Sequence, residues 1–123
     1  MAHQFEELSG RILAAAIDVH KALGPGFIEP IYQKAVEVAL EHRGIPFESQ
    51  KHIHVYFEEV DLGLQKIDLI VAGQIILELK AVKDLAEIHF AQLKSYLKAT
   101  GLHVGLLLNF NAPTLVIKRV VLS

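Results

Sequence analysis

The run from Lys66 to Lys80 constrains this chain most, because two apolar segments, Ile67 to Val71 and Ile75 to Leu79, meet at Ala72, Gly73 and Gln74. Such a pair around a short glycine-containing link reads as a β-hairpin. Within it stand charges that an apolar hairpin does not need: Asp68, Glu78 and Lys80. Side chains alternate faces along a strand, so Glu78 and Lys80 point the same way, and antiparallel pairing brings Asp68 near the level of Glu78. Two carboxylates and an ammonium then share one patch.

Like charges side by side in a half-buried sheet raise each other's cost of ionisation, and a lone buried ion is expensive. In one reading a divalent cation removes the conflict. Mg²⁺ takes carboxylate oxygens and keeps several waters, so Asp68, Glu78 and a backbone carbonyl make an open site. In the other, the hairpin is an exposed edge and Glu78 and Lys80 form a surface pair worth little. The spacing D-x9-E-x-K leaves both open.

At 123 residues and 52% hydrophobic content, the chain is long enough for one real core and too short for two ordinary ones, so residues 1–123 are expected to form a single domain. Cysteine is absent, which removes disulfides and thiolate zinc sites and fits a reducing cytoplasm. The stretch from Met1 to Glu7 is acidic and lacks a basic segment followed by an apolar run, and no apolar stretch reaches membrane-spanning length. A soluble, unexported, cytoplasmic protein without membrane contact is expected. The net charge of −2, from 12 Lys and Arg against 14 Asp and Glu, is not that of a protein gripping nucleic acid by charge alone. Carboxylates gathered at a cation site would account for part of that balance.

Helical periodicity runs from Glu6 to Leu23 through Leu8, Ile12, Ala15, Ala16, Val19 and Leu23, and Gly24, Pro25 and Gly26 end it. His20 borders the buried stripe, where a backbone hydrogen bond or a ligand role would each suit it. A second helix is expected from about Phe27 to His42, with Pro30 and Glu29 in its first turn. Residues from about Phe47 to Val60 read as a strand, turned into the hairpin by Asp61 to Gly63, and Glu58, Glu59 and Asp61 read as a solvated turn. His52 and His54 share one face of that strand, either as an exposed face or as a metal pair.

Asp84 and Glu87 resemble a capping box opening a third helix, which continues to Thr100 and closes at Gly101. On it His89, Gln92 and Tyr96 form a polar ridge beside the apolar ridge of Phe90, Leu93 and Leu97, and that polar ridge is expected to line the same cleft as the hairpin charges. His103 to Phe110 and Leu115 to Leu122 read as two closing strands linked by Asn111 to Thr114.

This order of elements, with Asp68, Glu78 and Lys80 on the central hairpin, resembles the PD-(D/E)xK nuclease superfamily. Leu23 to Tyr32 is similar to the signature of its GxxExxY family, with Gly26, Glu29 and Tyr32 in the named positions. Gln92 to Tyr96 resembles the QxxxY motif of RecB-like nucleases, and Val104 to Phe110 resembles the family's closing strand. Ile67, before the core Asp, fits the apolar residue common there, and Val19-His20 resembles the usual pair ahead of the Gly-Pro-Gly segment, with no role assigned to His20.

The resemblance implies an α/β, restriction-endonuclease-like core, a mixed sheet of about five strands flanked by about three helices. It implies metal ligation by Asp68, Glu78 and Glu29, catalysis by those three with Lys80 and Gln92, and substrate binding by Gln92 and Tyr96. Mg²⁺ is the implied cofactor, with Mn²⁺ able to replace it, and nucleic acid, DNA first, the implied partner. The rival expectations are a non-cleaving nucleic-acid- or protein-binding module on the same fold, and a subunit active only in a larger assembly; a homo-oligomer or a larger assembly is the further partner expectation.

Overall fold

The computed structural model describes residues 5–123; residues 1–4, part of the acidic N-terminal stretch, lie outside the described residues. Among the described residues the order is α1 (Glu6–Leu23), α2 (Glu29–His42), β1 (Phe47–Phe57), β2 (Val60–Val71), β3 (Ile75–Lys80), α3 (Glu87–Thr100), β4 (Val104–Asn109) and β5 (Val116–Val121). The strands form one mixed sheet in the order β1-β2-β3-β4-β5. Only β3 and β4 are parallel, and α3 crosses between them. This is the α/β architecture that the resemblance implies.

Both faces of the sheet are covered. On one, Leu69, Val71, Ile75, Leu77 and Leu79 pack with Val104, Leu106 and Leu108 against Ile12, Ala15, Ala16 and Val19 of α1 and Val36 and Leu40 of α2. On the other, Ile67, Ile70, Ile76 and Leu107 meet Leu93, Tyr96 and Leu97 of α3. A strand buried on both faces needs apolar residues in succession, which is why β3 and β4 read as continuous apolar runs rather than alternating ones. Every residue of β4 is buried, as are all of β3 except Lys80.

Three local features differ from expectation. The β1–β2 turn is confined to Glu58 and Glu59 of the expected solvated turn, both in the left-handed region (φ +48° and +66°), and β2 begins at Val60. Right-handed strand twist favours a two-residue turn of this hand. Asp61 to Gly63 instead lies inside β2, where the register slips between Val55 and Tyr56, and Asp61 Oδ1 accepts the Gly63 N–H at 2.9 Å. As a result β1 and β2 extend past the body as an arm, leaving Tyr56, Phe57, Val60, Leu62 and Leu64 exposed. Helix α3 is capped not by Asp84 and Glu87 but by His89, whose Nδ1 accepts the Ala86 N–H at 2.9 Å. Helix α2 starts at Glu29 rather than Phe27, with Pro30 in its first turn.

Helix α3 packs closely on the sheet at Gly105, where an added Cβ would lie 2.7 Å from Leu93 Cδ1 and 3.0 Å from Cγ. Leu93 is fully buried, so its side chain can shift only against its packed neighbours. Gly105→Ala is therefore expected to destabilise the protein by about 1–3 kcal/mol through overpacking, measured by urea unfolding. That cost should vanish when the same change is made in a Leu93→Ala background.

Candidate active site

The β2–β3 ladder ends early, and the site forms where it ends. Pairing runs through Val71 with Ile75, Ile70 with Ile76, and Leu69 with Leu77, then stops at Asp68 and Glu78. Meanwhile β3 stays paired with β4 as far as Lys80 and Asn109. The strands fork, leaving backbone N–H groups without ladder partners, and the two acids fill the gap reciprocally. The Asp68 N–H donates to Glu78 Oε2 at 2.9 Å, and the Leu79 N–H donates to Asp68 Oδ2 at 3.0 Å. Buried backbone donors need acceptors, and here the carboxylates supply them.

This placement shifts both acids. Glu78 is 4% exposed, and burial, followed by the charge of Asp68, pushes its carboxyl up to about 8. Burial likewise raises Asp68, opposed by the Leu79 N–H and the Lys80 ammonium and reinforced by Glu29. The same carboxylates, added to burial, push the Tyr96 hydroxyl up to about 12, so it remains a proton donor.

Glu29 reaches this neighbourhood from far earlier in the chain. Gly26 adopts φ +116° in the loop before α2, a conformation that favours glycine. Tyr32 is fully buried; its hydroxyl donates to the Gly24 carbonyl at 2.6 Å and accepts the Phe27 N–H at 3.1 Å, while its ring stacks on Phe110 at 4.6 Å. The loop is thereby pinned to the core, and Glu29 opens α2 beside β3, its Oε2 3.4 Å from the Ala81 N–H. Glu29 and Asp68 line one cleft of about 420 Å³, together with Gln33, Lys66 and Leu79.

Lys80 and Gln92 meet on the α3 side, with Nζ 3.4 Å from Gln92 Oε1. Gln92 and Tyr96 do not line the cleft of Glu29 and Asp68; they border a second hollow of about 410 Å³ under the arm, with Ile53, Val55 and Gln65. The reason is the pleat: Glu78 and Lys80 share the α3 face with Ile76, whereas Leu79 faces α2. Tyr96 is 4% exposed, packed among Ile67, Ile70 and Leu93, with its hydroxyl 3.4 Å from Gln65 Oε1.

His20 is a buried residue whose Nε2 lies 2.8 Å from the Ala112 carbonyl, tying α1 to the β4–β5 link. His52 is exposed, and His54 pairs with Asp61 at 2.7 Å out on the arm. Neither belongs to the fork.

Three residues that sequence reasoning passed over belong to its surroundings. Asn109 is buried and clamps the segment after Lys80, donating to the Val82 carbonyl at 2.8 Å and accepting the Val82 N–H at 3.1 Å. A lone amide in an apolar strand was its signal. Gln33 and Gln50 bond to each other at 2.7 Å in the cleft wall. For Gln33 the signal was the spacing of Glu29, Gln33 and Glu37 along one ridge of α2.

Among the described residues no three His, Cys, Asp or Glu side chains close into a metal-binding group. The donor chemistry of the fork nonetheless suits a hard dication. Asp68 and Glu78 each commit one oxygen to a backbone N–H and leave Oδ1 and Oε1 without a hydrogen bond, and burial favours their protons over their charges.

The pH dependence follows from Glu78. Its folded value lies above the model-compound value of 4.5, so the folded state holds the proton more tightly. The stability this contributes is complete below about 4.5 and is lost as pH rises to about 8. In metal-free protein the urea midpoint should fall across that window, and Glu78→Gln should flatten the fall.

Compared with known proteins, the chain matches a family model described as the PD-(D/E)XK nuclease superfamily over residues 6–120. No curated protein and no solved structure matches it.

Proposed function

The chain belongs to the PD-(D/E)XK nuclease superfamily, and on that premise we propose that it hydrolyses phosphodiester bonds in DNA with Mg²⁺, or Mn²⁺ in its place, as a single domain of the GxxExxY branch. The observation that carries this reading is the fork: Asp68 and Glu78 brought together with raised proton affinity, next to the ammonium of Lys80.

Asp68 and Glu78, with Glu29 from the cleft wall, would hold the ion. When bound, the ion supplies charge to the scissile phosphate and makes water a stronger acid. Lys80 orients the attacking water and offsets the charge that builds on phosphorus. Gln92 steadies Lys80 through its carbonyl oxygen, and with Tyr96, in the manner of a QxxxY motif, it contacts the substrate strand from the hollow beneath the arm. Nucleic acid is the partner, and the acids at the site account for part of the negative balance of the chain.

The direct test is cleavage of supercoiled, linear and single-stranded DNA, and of RNA, with and without Mg²⁺. DNA cleavage that depends on the metal is expected; binding without cleavage under any metal would point to a non-cleaving module. Metal alone should raise the melting temperature, since a ligand at a hundredfold excess over its Kd stabilises by about 2.7 kcal/mol.

Variants separate the roles. Lys80→Ala is expected to bind Mg²⁺ as well as the parent by calorimetry while losing about 10²–10⁴-fold in single-turnover cleavage. Asp68→Ala should lose both binding and cleavage. Parent-like cleavage by Lys80→Ala at saturating metal would remove Lys80 from the mechanism.

A further inference from the structure

Gln33 lies one turn beyond Glu29 on α2 and is only 9% exposed. A buried amide is costly unless its hydrogen bonds are made, and here they are. Its Nε2 faces the Asp68 carbonyl oxygen at 3.1 Å, Glu37 Oε2 at 3.1 Å and Ser49 Oγ at 3.2 Å. Its Oε1 accepts from Gln50 Nε2 at 2.7 Å. With two hydrogens facing three acceptors, Gln33 has no donor left for a ligand, and its oxygen is engaged by Gln50. Its partners define its work.

Those partners mark an irregularity in the sheet. Gln50 adopts φ +53°, a left-handed setting that non-glycine residues seldom take inside a strand. It stands at the level of Asp68: Ser49 pairs with Leu69 and Lys51 with Ile67, while Gln50 and Asp68 drop out of the ladder between them. Asp68 thus leaves its pairing on both sides, with Gln50 across β1 and with Glu78 across β3. Gln33 is the side chain that meets its carbonyl where β1 turns away.

We propose that Gln33 is a positioning residue for the acid pair: its amide fixes the Asp68 main chain in the setting from which the Asp68 N–H reaches Glu78 and the Asp68 carboxylate reaches the Leu79 N–H. Its consequence for catalysis rests on the nuclease reading above, but its structural content does not. Deleting the amide removes no group assigned to hold substrate or metal. What changes is the aim of the two carboxylates relative to each other.

The test reads the metal-free protein first. Gln33→Met keeps the length of the side chain and removes both its donors and its acceptor. Amide hydrogen exchange at Asp68 and Leu79 is expected to quicken at least tenfold, with Leu77 and Leu106 at the parent rate. Unchanged exchange at Asp68 and Leu79, or a uniform rise across the sheet, would overturn the proposal. If Gln33→Met fails to fold, Gln33→Leu takes its place, since it too has no hydrogen for the Asp68 carbonyl and adds no charge beside Glu37. In the cleavage assay the variant should lose at least tenfold in kcat with KM for DNA unchanged, a split that loss of folded protein also leaves in kcat, so rates are taken per folded molecule. A parent that cleaves no nucleic acid would refute the nuclease reading, and the exchange rates would still decide the role of Gln33.

Discussion

Everything near the candidate site depends on the exchange of backbone N–H groups for carboxylates at the β2–β3 fork. An antiparallel pair that separates within a buried sheet exposes donors that nothing apolar can satisfy. Asp68 and Glu78 satisfy them crosswise, each accepting from the main chain of the opposite strand. The same two bonds hold the acids where burial opposes their charge. Structure and proton affinity come from one arrangement: one oxygen of each acid holds the fork in place, and the burial that the fork imposes raises both carboxyls.

Two clamps bring the remaining groups to this fork from distant parts of the chain. Tyr32 fastens the loop before α2 to the core through Gly24, Phe27 and the ring of Phe110, which sets where Glu29 begins its helix. Asn109 holds Val82 by both of its main-chain groups, while the Phe110 N–H reaches the Lys80 carbonyl at 2.9 Å. Phe110 therefore serves both clamps, one through its ring and one through its backbone. In a small domain with one sheet, a side chain shared in this way couples the two edges of the site.

The central hairpin was legible because strand periodicity is strict: two apolar runs around Gly73 place Asp68 opposite Glu78 with no knowledge of the rest. The helices were legible from their apolar stripes, and the closing strands from their apolar composition. Where the reading fell short, the deciding information was nonlocal. Asp61 to Gly63 carry the usual turn chemistry, yet pairing along the arm takes them into β2 and leaves the turn to Glu58 and Glu59. The cap of α3 came from a histidine ring, which a search for acidic capping partners passes over. The polar ridge of α3 reaches the hairpin charges through Lys80, on the face of Glu78, whereas Asp68 opens into the cleft on the other side, because a forked sheet has an opening on each face. Gln33 looked like an ordinary helix residue because its partners lie on β1 and β2, 16 and 35 residues away.

The arm built by β1 and β2 has a mechanical consequence. A two-stranded ribbon with apolar side chains in water has little stability of its own, and elements with few buried contacts open locally at low free energy. Tyr56 and Leu62, each 62% exposed, belong to such a ribbon, whereas Glu78 sits on a strand with paired neighbours and covered faces. Lys66 and Gln65, at the base of the ribbon, wall the two hollows. Compliance and rigidity thus meet within β2: its outer end belongs to the ribbon that opens most easily, while Asp68, nearer its inner end, is held against Glu78 of β3 by two backbone hydrogen bonds.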